Sequence, residues 1–354
     1  MKKAHYGTTE NGRAVDIYSL ANDAGMRVDI LTFGCIIARL EVPDRRGRID
    51  NVVLGLSNLE DYARLGGHFG AIAGRYANRM AGGRFVIDGK TYQLDLNAPP
   101  NAIHGGRKGF HKVVWQGSAG SGEQVILRYL SRDGEESFPG NLDVEVRYSL
   151  GATNELRIDY AATTDKPTVL NLTNHSYFNL AGEGSGDVLD HLVTIEADHF
   201  TPEDATQVPT GEIRPVAGTP FDFTTPRPVG ERIRANDEQL IIARGYDHNW
   251  VLRQQQGEGP RLAARAHEPV TGRILEVLTD APGLQLYAGN SLNGAVVGPS
   301  GRAYRQSDGL CFETQAFPDA PNHPNFPSAI LRPGERFRST TLFRFSTDAA
   351  SNAG

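Results

Sequence analysis

The chain has 354 residues, a formal net charge of −6 at neutral pH and 39% hydrophobic residues, enough length and apolar content for a large core. It carries no long run of Lys or Arg, which excludes the electrostatic footprint of a nucleic-acid binder. No apolar stretch approaches the length of a membrane span.

The first twenty residues, "MKKAHYGTTENGRAVDIYSL", hold two lysines but no apolar core of a signal peptide, so the cytoplasm is the expected location. "RVDILTFG" (27–34) reads as a strand. Cys35 and Cys311 stand far apart in apolar surroundings without a CxxC spacing, and read as two core residues, neither a disulfide nor a zinc site. "LSNLEDYARL" (56–65) reads as a short helix, capped by Ser57 with Glu60 three residues on. "AGRYANRMAGGRF" sets Asn78 and Arg79 among small residues. "NAIHGGRKGFHKVVW" places His104 before two glycines that let the backbone bend and expose the ring. His111 follows seven residues later, a spacing that puts the two rings on opposite faces of an extended segment and argues against a shared site.

Period-two alternation dominates the rest of the chain. In "LDVEVRYSL" (142–150) Leu142, Val144, Val146, Tyr148 and Leu150 share one face; "ELRIDYAAT" repeats the pattern, and "LGATN" between them reads as a hairpin turn. "QVILRYL", "HLVTIEADHF", "LEVLTDAPGLQLYAG" and "TTLFRFST" give the same signal. "ERIRANDEQLIIA" (231–243) is a second, less regular helix candidate. "GEGSG" (182–186) is followed by no helix and reads as a turn, not a phosphate cradle. The reading is an all-β chain, a large antiparallel β-sandwich with a few short helices, in one continuous domain over 1–346 and a frayed tail over 347–354.

Polar residues inside this apolar pattern carry the functional signal. "VLNLTNHSYFNLAG" (169–182) reads as a strand interrupted by Asn171, Asn174, His175 and Asn179. "GYDHNWVL" holds Asp247 beside His248, which alternation turns away from it. Gln285 stands between two leucines, and Glu313 between Phe312 and Thr314. His5, His68, His191, His199, His267 and His323 show no pattern that favours function. Taken singly, each of the others reads as a satisfied core residue. Taken together, His104, His175, Asp247, Glu313, Arg79, Asn78 and Gln285 are more cheaply satisfied around one polar pocket than separately. Amides, an arginine and carboxylates match the donors and acceptors of a polyhydroxylated ligand, with sugar the natural guess.

These segments together resemble the aldose 1-epimerase (galactose mutarotase) family. The motifs are "ANRMAGGRF", "NAIHGG", "NHSYFNLAG", "GYDHNWVL", "PGLQLYAGN" and "FETQAFPDAPNHPNFP", in the family's order and along nearly the whole chain. The resemblance implies a galactose mutarotase-like supersandwich that interconverts α and β anomers of free aldohexoses. It implies Glu313 as general base and His175 as general acid, with His104, Arg79, Asn78, Asp247 and Gln285 as sugar ligands. No metal or other cofactor is expected, and no partner beyond the monosaccharide; a monomer or a homodimer would serve. The acid–base pair is expected to work as ionised Glu313 and protonated His175, the carboxylate favouring the imidazolium. Three alternatives stay open: a glycoside hydrolase using Asp247 and Glu313, a non-catalytic sugar-binding or sensing protein, and a sugar-phosphate epimerase drawing on Arg107 and Lys108.

Overall fold

Alternating burial is realised as antiparallel pairing throughout the two large sheets. A computed structural model describes residues 1–254 and 259–348. Leu142–Leu150 and Glu155–Thr164 form the expected hairpin, with Val146 opposite Tyr160. They lie inside a nine-stranded sheet, in which Glu155–Thr164 also pairs with Phe337–Thr347 and that strand in turn with Arg273–Thr279. A second, six-stranded sheet runs in the order Tyr177–Phe178, Leu310–Gln315, Gly283–Tyr287, Asp247–Leu252, Ala197–Thr201, Arg214–Pro215. A five-stranded meander over residues 2–51 completes the larger sheets.

The two large sheets share one core. Phe178 of the six-stranded sheet meets Phe343 edge-on at 5.0 Å and Phe345 at 6.3 Å, both from the nine-stranded sheet. Such aromatic pairs contribute about 0.5–1.5 kcal/mol beyond the area they bury. Two segments that read as single strands in fact turn the corner between the sheets. "HLVTIEADHF" divides into Leu192–Ile195 and Ala197–Thr201, and "LEVLTDAPGLQLYAG" into Arg273–Thr279 and Gly283–Tyr287. Alternation alone carries no mark of that change of partner.

"VLNLTNHSYFNLAG" differs more. It is three short pieces, Thr168–Val169, Thr173–His175 and Tyr177–Phe178, each paired with a different strand. The asparagines supply what a ladder would. Asn171 Nδ2 donates to Ala77 O at 3.0 Å, and its Oδ1 accepts from Ala316 N at 2.9 Å. Asn174 Nδ2 donates to Gly70 O at 2.9 Å, and Asn179 Nδ2 to Gly186 O and Asp308 O at 2.8 and 3.0 Å. These amides clamp neighbouring backbone and leave the His175 ring alone.

The first helix spans Leu59–Leu65, and its cap is Asn58 rather than Ser57: Asn58 Oδ1 accepts from Asp61 N at 2.9 Å. Gly66 ends it at a φ of 69°, a backbone region that glycine enters without a Cβ clash. Of 231–243 only Glu238–Ala243 is α-helical, capped by Asp237. At the C-terminus, Thr347 still belongs to a strand and Asp348 pairs with Arg45 at 2.9 Å, so those two residues are anchored. The rest of the expected tail, 349–354, lies outside the described residues. Among the described residues no helix is long and apolar enough to cross a membrane.

Candidate active site

Three adjacent strands of the six-stranded sheet make the floor. Asn249 lies opposite Gln285 and Gln285 opposite Glu313; one row on, Asp247 lies opposite Tyr287 and Tyr287 opposite Cys311. Alternation sends Trp250, Leu284, Leu286 and Phe312 into the shared core and these polar side chains to the other face. That face opens into a cavity of about 540 Å³, whose wall includes His104, His175, Arg79, Asn78, Asp247 and Glu313. Gln285 is fully buried and sits behind that wall, where its Nε2 donates to Asp247 Oδ1 at 2.8 Å. Six of the seven expected residues therefore meet in one cavity, and the seventh supports one of them.

His175 reaches the cavity from Thr173–His175, paired with Ala71–Ala73. Its Nε2 lies 3.6 Å from Glu313 Oε1, and its Nδ1 lies 3.5 Å from Cys311 Sγ. His175 is 4% exposed and Glu313 2%. Burial therefore dominates both ionisations. It lowers the imidazole to about 4 and raises the carboxyl well above the usual range, helped by Asp247 and opposed by Arg79. The 3.6 Å contact would be an ion pair only if both groups were charged. Burial disfavours that state. Desolvation of both groups opposes the expected working state, ionised Glu313 with protonated His175.

Arg79 spans the cavity. Its Nη1 lies 3.6 Å from Asp247 Oδ2, and its Nη2 donates to Gln207 Oε1 at 3.0 Å. Asn78 adopts a φ of 64°, and its backbone N–H donates to His104 Nδ1 at 3.1 Å. That bond requires a lone pair on Nδ1, so the neutral His104 ring carries its proton on Nε2. His104, His175 and Glu313 bring potential metal-ligand atoms within 4.8 Å of one another. A metal on His104 Nε2 would force the proton onto Nδ1, against the Asn78 N–H. The set fits hydrogen bonding to a ligand better than it fits a metal.

His111 and His68 were not expected here. The segment after His104 is no strand: His104, Gly105 and Gly106 all have positive φ, and Phe110–Lys112 is a 3₁₀ turn. The chain doubles back, and His68 packs against His104 at 4.5 Å, His111 at 4.1 Å and His175 at 5.6 Å between ring centroids. The extended backbone that the opposite-face argument assumed is absent, yet His111 still lies off the cavity wall, packed against His68. Burial holds His68 and His104 well below the usual imidazole range and brings His111 down to about 3. Tyr287, Gln207 and Arg244 also line the cavity. Tyr287 was legible, two residues after Gln285 on the same strand face. Nothing in the sequence points to Gln207 or Arg244. Arg107 and Lys108 are not on this wall: Arg107 Nη2 donates to Leu96 O at 3.2 Å, and Lys108 lines a separate cleft. His248 is in the core as expected, 4.6 Å from the Phe221 ring.

Comparison with known proteins agrees with this geometry. The family model described as aldose 1-epimerase matches residues 16–344. The chain is 47% identical to galactose mutarotase of Rattus norvegicus over 335 residues, 95% of each chain. It is 39% identical to aldose 1-epimerase of Escherichia coli over 339 residues, 95% of this chain and 96% of that one. Among solved structures, galactose 1-epimerase from Lactobacillus acidophilus superposes with a TM-score of 0.85 at 32% identity, covering 98% of both chains. The large antiparallel sandwich is the fold shared with that galactose 1-epimerase. The chain belongs to the aldose 1-epimerase family.

Proposed function

We propose that the protein is a mutarotase that interconverts the α and β anomers of free aldohexoses such as galactose and glucose, with Glu313 as base and His175 as acid. The observation that carries this reading is the His175 Nε2–Glu313 Oε1 separation of 3.6 Å on the wall of a polar cavity, in a chain 47% identical to galactose mutarotases. Opening a cyclic hemiacetal removes the proton of the C1 hydroxyl and delivers one to the ring oxygen.

A bound sugar that donates O1–H to Glu313 favours the ionised carboxylate, and the pair works as ionised Glu313 with protonated His175. Glu313 then takes the O1 proton as the C1–O5 bond breaks, and His175 gives its proton to O5. The open-chain aldehyde is left beside a protonated Glu313 and a neutral His175. Rotation about C1–C2 and the reverse transfers give the other anomer. Two positioned groups of this kind contribute about 10²–10⁴-fold each. Arg79 and Asp247 hold the hydroxyls, with Gln285 fixing Asp247, and the neutral His104 offers its Nε2–H as a donor.

Polarimetry on freshly dissolved α-galactose and α-glucose tests the reading against release of product from aryl glycosides. Faster anomeric relaxation without product release is the expected result. Release of product from the glycosides would make Asp247 and Glu313 a hydrolytic pair instead. Binding of sugar without faster relaxation would leave a sensing protein, and preference for glucose 6-phosphate over glucose would indicate a sugar-phosphate epimerase.

A further inference from the structure

Among the described residues the guanidinium of Arg79 makes a single hydrogen bond, from Nη2 to Gln207 Oε1 at 3.0 Å, and the Gln207 side chain makes no other. Asp247 stands 3.6 Å from Nη1, too far for a hydrogen bond. Both ends of the Arg79–Gln207 contact are fixed to one part of the fold. Arg79 belongs to Arg79–Met80, paired with Ala102–Ile103. Gln207 belongs to the turn after Ala197–Thr201, and Asn101 ties that turn to the Arg79 hairpin: its Nδ2 donates to Thr206 O and Oγ1 at 3.2 and 3.0 Å. From the other side the buried Gln239 clamps the backbone of Glu203, accepting from its N–H at 2.6 Å and donating to its carbonyl at 2.9 Å. Within the turn, Asp204 Oδ1 accepts from Thr206 N and Val208 N at 2.8 and 3.2 Å. Gln207 itself has a φ of 61°, a region that a residue with a Cβ keeps only when its surroundings impose it.

We propose that Gln207 is a positioning residue for sugar binding: its amide oxygen holds the Arg79 guanidinium off Asp247, so that both side chains stay open to the hydroxyls of the ligand. The inference rests on Arg79 and Asp247 being the groups that hold those hydroxyls. A guanidinium and a carboxylate left to themselves close into a fork of two parallel bonds, in which each saturates the other. Gln207 engages Nη2, one arm of that fork, while Gln285 Nε2 holds Asp247 Oδ1 at 2.8 Å from the opposite side. Two neutral amides thus keep an oppositely charged pair apart. Because an amide carries no charge, it orients the guanidinium without cancelling it. The donors of Arg79 that Gln207 leaves free then meet the sugar in a fixed direction, and little ordering remains to be done when the ligand arrives.

Equilibrium binding of galactose, followed by calorimetry, needs no turnover and so separates this inference from the assignment of the reaction. Gln207→Leu should raise Kd, and KM in polarimetric assays, about 5- to 30-fold, with kcat within about twofold of wild type. Gln207→Asn shortens the reach to Arg79 but suits a positive φ better, so it should raise KM while Tm holds or rises. In an Arg79→Gln background, Gln207→Leu should leave kcat/KM where Arg79→Gln alone puts it, because the glutamine acts only through the arginine. Unchanged Kd and KM in Gln207→Leu would overturn the proposal, as would weakened binding that tracks a fall in Tm through both the Leu and the Asn variants. A loss that persists in the Arg79→Gln background would also overturn it, and would make Gln207 a ligand of the sugar itself. Kd values that shift as expected in a protein that does not speed anomeric relaxation would uphold the positioning role and remove the mutarotase reading.

Discussion

Asp247 and Arg79 act on Glu313 with opposite signs, and removing each should move one limb of the pH profile in opposite directions. The working pair holds one proton, so the basic limb marks its loss, governed by the raised carboxyl of Glu313. The acid limb marks uptake of a second proton by His175, lowered to about 4. The Asp247 strand lies two strands from that of Glu313, about 10 Å at the usual inter-strand spacing. At an effective dielectric of about 20, a unit charge at that distance is worth about 1.7 kcal/mol, or about one pH unit. Asp247→Asn removes a charge that disfavours the carboxylate, so the basic limb of kcat/KM should fall by about one unit. Arg79→Gln removes a charge that favours it, and the limb should rise by a similar amount. The assay is polarimetric mutarotation of α-galactose from acid to alkaline pH, with the uncatalysed rate subtracted. Limbs that move in the same direction, or do not move, would refute the electrostatic assignment of the pair.

Glu313→Gln should lower kcat about 10²–10⁴-fold, and His175→Asn should likewise act on kcat, whereas Asp247→Asn should raise KM more than His175→Asn does; steady-state polarimetry separates the two patterns. Arg75, 2% exposed, donates to Pro139 O, Gly140 O and Ser131 Oγ at 2.8, 3.0 and 2.6 Å. Arg75→Leu should cost about 3–5 kcal/mol, seen as a fall of several degrees in the calorimetric Tm. Burial lowers His191 to about 4 and His248 to about 3. Below pH 6.5 the unfolded chain takes up these protons while the native state does not, so stability is full above that pH and is lost as it falls. Each histidine should cost about 2 kcal/mol between pH 7 and 5 in urea titrations. Glu203, raised by burial, works in the opposite sense, so the sharper check is His248→Phe, which should reduce the slope by about 1.4 kcal/mol per pH unit.

What the sequence disclosed divides along a physical line. Strand faces and the residues they bring together were legible wherever period two holds, as in Asp247, Gln285 and Glu313. Gln285 stands between two leucines, Glu313 follows Phe312, and Asp247 follows Tyr246. Positions set by turns were not. His68 follows two glycines after a helix and has a φ of 57°, and Gln207 has a φ of 61°; neither lies on a periodic face, so no pattern announced them. His111 was set apart from His104 by a strand geometry that the glycines after His104 abolish, although it does lie off the cavity wall. The protonation of the pair was not legible for another reason: sequence does not show how much water a carboxylate and a histidine lose where they meet. Gln285, expected as a sugar ligand, lies one layer behind the cavity wall, a distinction of depth that alternation does not encode.

That layer has a consequence for anyone who alters the enzyme. Gln315 Nε2 donates to Asn249 Oδ1 and Gln285 Oε1, both at 3.3 Å, and Gln285 passes the link on to Asp247. Substitutions in this buried amide chain will be epistatic, each resetting the background in which the next is read. The rim residues Arg244 and Gln207 stand outside the chain, although Gln207 reaches it through Arg79. Selection for a new sugar preference will find additive steps at Arg244 and ruggedness underneath.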